Sequence, residues 1–155
     1  MKLSRQEHKT LRGLLKGISD APAAQRMRRF KQHGSVTTYR HCADVTRLCF
    51  LLNRRLHLGA DERTLVRGAF LHDLYLYDWH DKDAAHKWHG FHHADKALEN
   101  ADRYFQLNPK ERGMIYSHMW PLNLTRVPKS REALILCVAD KLCALRETLL
   151  CRRRK

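Results

Sequence analysis

Leu65-Val66-Arg67-Gly68-Ala69-Phe70-Leu71-His72-Asp73-Leu74 is an apolar helical run that stops on an adjacent histidine and aspartate. Imidazole nitrogen and carboxylate oxygen are both good ligands for Zn, Fe, Mn, Co or Ni. A second stretch repeats the pattern. Ala133-Leu134-Ile135-Leu136-Cys137-Val138-Ala139-Asp140-Lys141-Leu142-Cys143-Ala144-Leu145 is nearly all apolar, with Asp140 at its centre. A carboxylate buried there needs a partner, because an unpaired one costs several kcal/mol or more. Lys141 lies about 100° round the helix and is poorly placed for that task; its stem is expected to carry the ammonium out to solvent. A metal, an arginine from another helix or a helix N-terminus could serve instead.

Outward from these two runs, helical spacing dominates the chain. Leu11, Leu14, Leu15 and Ile18 share one face, and Ser19-Asp20-Ala21-Pro22 breaks it. A short helix is expected over about 23–31, and His33-Gly34-Ser35 reads as a turn. Val45, Leu48, Cys49, Leu52 and Leu56 define a helix over about 36–56, closed by Leu58-Gly59. Asp61 is a helix N-cap, Asn108-Pro109 opens a helix through Met119 that Pro121 ends, and Ser130 caps a last helix to about Cys151. Another helix spans roughly Phe91 to Phe105, after a polar stretch from Trp79 to about Lys87. No segment alternates cleanly enough for a strand. The expected fold is all-α, a bundle of about six or seven helices forming one domain over 1–155.

Composition narrows the class. With 43% hydrophobic residues the chain is not disordered, and 155 residues suffice for a core without staples. No apolar run approaches a membrane span, and the charged N-terminus leads into no signal-peptide core, so a cytoplasmic protein is expected. Five cysteines without a C-x-x-C read as buried free thiols. The formal charge is +14, concentrated at the ends: residues 1–31 carry nine Lys or Arg against Glu7 and Asp20, and Arg152-Arg153-Arg154-Lys155 closes the chain. These ends could attract phosphates or nucleic acid, or form a solvated helix face and tail. No aromatic residue before Phe30 interleaves with the basic run, so a single-strand stacking signature is missing. Of the 11 histidines, six fall between His72 and His93.

The ordered set His41, His72-Asp73 and Asp140 resembles the H…HD…D signature of the HD-domain superfamily of metal-dependent phosphohydrolases. Tyr39-Arg40-His41-Cys42-Ala43-Asp44-Val45, Gly68-Ala69-Phe70-Leu71-His72-Asp73 and Val138-Ala139-Asp140-Lys141 are similar to the family's local contexts, over about residues 35–148. The resemblance implies a helical bundle whose four residues converge on one divalent ion. Two further histidines, His118 and one of His89, His92 or His93, fall where a dinuclear subset places ligands for a second ion. His93 is preferred over His89 because a small residue, Ala97, follows it at +4. Asp73 would then bridge. His33-Gly34 is similar to a pair that precedes the first metal helix in small stand-alone bacterial HD proteins, which makes His33 a candidate proton-transfer or supporting group.

One departure matters. Many members read H-D-x-x-K with the lysine on a phosphate, whereas this chain has Leu76 there, followed by Tyr77-Asp78-Trp79-His80. The resemblance implies hydrolysis of a phosphate ester or nucleotide by a metal-activated water, with Asp73 and His33 as candidate catalytic residues. A diiron HD-type oxygenase and a non-catalytic basic nucleotide- or nucleic-acid-binding module are the alternatives.

Overall fold

The computed structural model describes residues 2–78 and 89–152, without the side chains of residues 33, 89–91 and 150–152. The polar stretch 79–87 therefore lies outside the described residues, and so do the tail residues 153–155. Seven α-helices follow one another among the described residues: α1 (Arg5–Leu15), α2 (Pro22–Arg26), α3 (Thr38–Arg55), α4 (Glu62–Leu71), α5 (His89–Tyr104), α6 (Pro109–Ser117) and α7 (Arg131–Arg152). The all-α expectation holds.

Caps fix most boundaries. Ser4 and Glu7 form a capping box on α1, Asp61 accepts from the Thr64 amide, and Asn108 and Glu111 form a second box ahead of α6. Ser130 Oγ accepts from the Ala133 amide at 3.1 Å and starts α7. Glu7 also receives both guanidinium nitrogens of Arg55, at 2.6 and 2.9 Å, which ties α1 to the end of α3.

The sequence reading errs between α2 and α3. The expected helix over 23–31 ends early in a 3-10 turn, Met27–Arg29, and Phe30 is extended. A two-stranded antiparallel hairpin follows, β1 (Lys31–His33) and β2 (Val36–Thr37), with a bulge in its register. Gly34, at φ 58, provides the left-handed residue that the tight return needs. Thr37 then caps α3, and the Thr38 amide bonds the Phe30 carbonyl at 2.9 Å. The hairpin thereby lays Gln32, which is buried, beside the start of α3.

The core has three parts. Val45 and Cys49 of α3, Leu65 and Ala69 of α4, Met114 of α6 and Leu136 of α7 form one. Cys42, Phe70, Leu71, Ala97, Ala101 and Ile115 join α3, α4, α5 and α6 in another. Leu3 and Leu11 cover Phe50, Leu51 and Val66, so the basic N-terminal helix shares the core of the bundle. Gly68 permits the close crossing of α4 and α6: a Cβ there would stand 2.6 Å from Met114 Sδ. That crossing sits just before His72 on α4 and His118 on α6, so the small residues of the Gly68-Ala69 run bring the two helix ends together. The four described cysteines are free and buried. No helix among the described residues is long and apolar enough to cross a membrane.

Candidate metal centre

His72 and His118 are positioned by the same local device. Each is the C-cap of its helix, and each turns Nδ1 onto the carbonyl three residues back, Ala69 or Ile115, both at 2.7 Å. A helix C-terminus leaves carbonyls without partners, and the imidazole N–H satisfies one. The proton is then on Nδ1, and Nε2 presents a lone pair to the interior. His41, in the first turn of α3, places Nδ1 at 3.0 Å from Glu147 Oε2 and Nε2 at 3.1 Å from Asp140 Oδ1.

These groups form two adjoining halves around Asp73. In the first, Asp73 Oδ2 lies 3.5 Å from His72 Nε2 and 3.8 Å from His41 Nε2, and Asp140 Oδ1 lies 3.6 Å from His72 Nε2. In the second, Asp73 Oδ1 lies 3.3 Å from His93 Nε2 and 3.4 Å from His118 Nε2, and those two nitrogens are 2.9 Å apart. Ligand atoms each about 2.1 Å from a shared ion stand roughly 3.0–3.5 Å from one another, so the spacing suits coordination. The donor set fits as well. His72 Nε2 and Asp73 Oδ1 are buried without a hydrogen-bond partner, an arrangement proteins avoid unless something else occupies those lone pairs. His41, His72 and Asp140, and also His72, Asp73 and His118, meet the geometry of ion-holding triads.

Without a cation the charges balance by proton uptake. Burial disfavours a charged His41, yet hydrogen bonds to Asp140 and Glu147 outweigh it and push the imidazole up to about 10. Burial likewise opposes charge on His72, but the Asp73 carboxylate raises it well above its usual value. Burial would raise Asp73 and Asp140; the facing imidazoles win and hold both far below the usual carboxylate range. At His118 burial prevails and lowers it. The first half thus holds protons where a metal would bring its charge.

Four supporting contacts were not read from the sequence. Gln32 Nε2 donates to Asp73 Oδ2 at 2.7 Å, and the Tyr75 hydroxyl donates to Gln32 Oε1, which fixes which end of the amide faces the carboxylate. Thr38 Oγ1 lies 3.0 Å from the Tyr75 oxygen. Glu147 backs His41 from two helical turns beyond Asp140. The expectation for Lys141 is corrected: its ammonium bends back to Asp140 Oδ2 at 3.2 Å and to the His118 carbonyl at 2.6 Å. Four methylenes carry the charge round the 100° that the backbone leaves between the two residues.

His41, His72, Asp73, His93, His118 and Asp140 are therefore brought together from α3, the end of α4, α5, the end of α6 and α7. The side chains of His33 and His89 lie outside the described residues; the backbone of His33 ends β1, next to Gln32, and His89 opens α5. Leu76 adopts φ 58 and packs against the second core cluster.

Such a bundle, with a histidine-rich polar centre gathered from five elements, defines a helical metal-site domain. The sequence matches the family model described as HD domain over residues 38–145, and the chain belongs to the HD-domain family. HD domains bind divalent metals and are in general metal-dependent hydrolases of phosphorylated substrates. No curated protein and no solved structure matches the chain.

Proposed function

We propose that this HD domain is a phosphohydrolase with two adjoining divalent-metal sites that share Asp73. The observation that carries the reading is the division of Asp73: one oxygen faces His41 and His72, the other faces His93 and His118. His41, His72 and Asp140 would complete the first site, and His93 and His118 the second. Ions held there supply a water of lowered pKa and a Lewis acid for a phosphoryl oxygen. Fe, Mn, Zn, Co and Ni all suit a donor set of imidazoles and carboxylates.

The chain's own residues do the rest. The Nδ1 bonds of His41, His72 and His118 hold each ring so that Nε2 points inward. Gln32 and Tyr75 hold the Asp73 carboxylate. Lys141 sets a partly exposed ammonium beside Asp140, in place of the phosphate-binding charge that Leu76 does not provide. His33, one residue from Gln32, is retained as the proton donor to the leaving oxygen. The substrate is a phosphate ester or nucleotide.

The test is metal analysis of protein purified without chelator, then a panel of phosphate monoesters, diesters and nucleotides with each metal. Uptake of two ions per chain and metal-dependent phosphate release are expected. Oxygen consumption is recorded in parallel, because the same imidazole-rich pair of sites suits two irons. Oxygen uptake without phosphate release would replace hydrolysis by oxygenase chemistry, and absence of metal uptake would overturn both.

A further inference from the structure

α1 has two unlike sides. On one, Leu3 and Leu11 cover Phe50, Leu51 and Val66, and Glu7 takes the Arg55 guanidinium. Arg5, Lys9 and Arg12 lie about half a turn away from that side, and Lys16 continues their row at the C-cap. The four cations step by four, three and four residues, which keeps them on one exposed stripe about 16 Å long. Lys2, also exposed, precedes the N-cap and adds a fifth charge at that end. Among the described residues no carboxylate pairs with Lys2, Arg5, Lys9, Arg12 or Lys16. Elsewhere Arg40, Arg54, Arg67 and Arg126 each hold an aspartate or glutamate. Like charges three and four residues apart destabilise a helix, so the row works against α1, and only the packing of its apolar side offsets it. A bound polyanion would relieve that repulsion.

We infer that this stripe is a docking surface for double-stranded nucleic acid, held by its phosphate backbone. Each strand of a duplex carries one phosphate per about 3.4 Å of axis, so a row about 16 Å long faces roughly five of them. The four cations of the row, with Lys2 beside them, match that number. The rest of the outward face selects among polyanions. It carries Gln6, His8 and Gly13 beside the cations, and no apolar or aromatic side chain. A helix that lies in a membrane surface needs Trp, Phe or Leu to enter below the headgroups. Single-strand binding needs aromatic rings on which bases stack. Leu11, Leu14 and Leu15 of α1 all pack into the core, so neither requirement is met. Duplex phosphates need only charge and an open face.

Phosphate contacts position a duplex without reading its bases. Binding is therefore independent of sequence, and the same chemistry serves DNA and RNA. None of the six residues of the metal centre lies on α1, so docking is also independent of metal loading. Each phosphate neutralised releases counterions, which makes the affinity fall steeply as salt rises.

The experiment is fluorescence anisotropy of labelled duplex DNA and duplex RNA titrated with the full chain, from about 50 to about 200 mM salt. The logarithm of the affinity should fall with the logarithm of salt at a slope of about −4, set by four to five phosphate contacts. The double variant Arg5→Gln/Arg12→Gln should flatten that slope by about two and weaken binding on the order of 10- to 100-fold at low salt. Both positions are exposed and glutamine is a good helix former, so its circular dichroism should match wild type. Arg103→Gln/Lys129→Gln removes the same charge from exposed positions off α1 and should bind nearly as wild type does. Chelator should leave binding unchanged. DNA and RNA duplexes should bind alike, and a preference for one that is still lost in the α1 variant names the source. No duplex binding by wild type at the lowest salt overturns the inference. So does an equal loss in the two double variants, which would make the attraction one of net charge alone, and so does a loss with chelator. Tighter α1-dependent binding to single strands or to phosphatidylserine vesicles than to duplex overturns it as well.

Discussion

The two halves of the centre use one carboxylate but are built to different depth. The first draws His41 from α3, His72 from the end of α4 and Asp140 from α7, and Glu147 supports His41 from behind. The second has His93 near the start of α5 and His118 at the end of α6, with Asp73 Oδ1 as their shared carboxylate oxygen. The first half would keep three protein ligands if Asp73 turned away; the second would keep two. The contrast implies an order of loading, with the first half filling at lower metal concentration.

The largest effect is expected at the shared residue. Asp73→Ala should remove the second ion and weaken the first, leaving at most one ion per chain in the presence of excess Mn. Asp140→Ala and His72→Ala should empty the first half. Each also leaves a buried charge without its partner in the metal-free chain, which costs about 3–5 kcal/mol when a buried pair is broken. Metal content and thermal unfolding check both effects. Full metal content in Asp140→Ala and His72→Ala would remove the first half from the proposal. His93→Ala and His118→Ala are expected to be milder: one ion per chain, first half intact, little change in metal-free stability. If either variant empties the first half as well, the two halves are one cooperative site and the loading order fails.

The depth of the two halves also decides what could be read in the sequence. His72-Asp73 and Asp140 stand out because polar residues interrupt apolar helical runs, whereas His41, His93 and His118 are reached only through the resemblance to the family. Long helices carry such signals well, since one periodicity extends over many residues. Glu147 had a signal that went unused: it lies seven residues after Asp140, with Cys143 between, and so shares the buried face of α7. Gln32 had none. A three-residue strand has no periodicity, and its burial depends on a hairpin whose turn rests on the φ of Gly34. Lys141 departs from its expectation because a long side chain reaches further round the helix than the direction of its backbone suggests.

These unread residues provide a finer comparison of the halves. Glu147→Gln should weaken the first half by about 10- to 100-fold, the usual cost of losing a carboxylate behind a metal-bound histidine. Gln32→Leu frees the Asp73 carboxylate to rotate toward the first half, so its loss should fall mainly on the second ion. Competition against a metal indicator, read at each half in turn, separates the two. Equal losses at both halves in both variants would mean a general loosening of the core rather than local support.

The last effect is one of proton linkage, and it is expected at the first half. His41 sits at about 10 in the metal-free chain, above its ordinary value of 6.5, and His72 is raised in the same direction. At neutral pH both carry protons that a metal must displace, so uptake at the first half releases protons and strengthens as pH rises. Each displaced proton contributes about tenfold in affinity per pH unit below the group's pKa. His118 is lowered and therefore already neutral at pH 7, so it contributes no such slope to the second half. Metal-free stability runs the other way. An imidazole raised on folding contributes stability that is complete below 6.5 and is lost as pH climbs through about 10. The melting temperature of metal-free protein should therefore fall across that window, while metal-loaded protein holds its own or gains. Proton release measured in weakly buffered solution during titration with Mn gives the count directly. A release confined to the second phase of loading, with none in the first, would reverse the assignment of the halves.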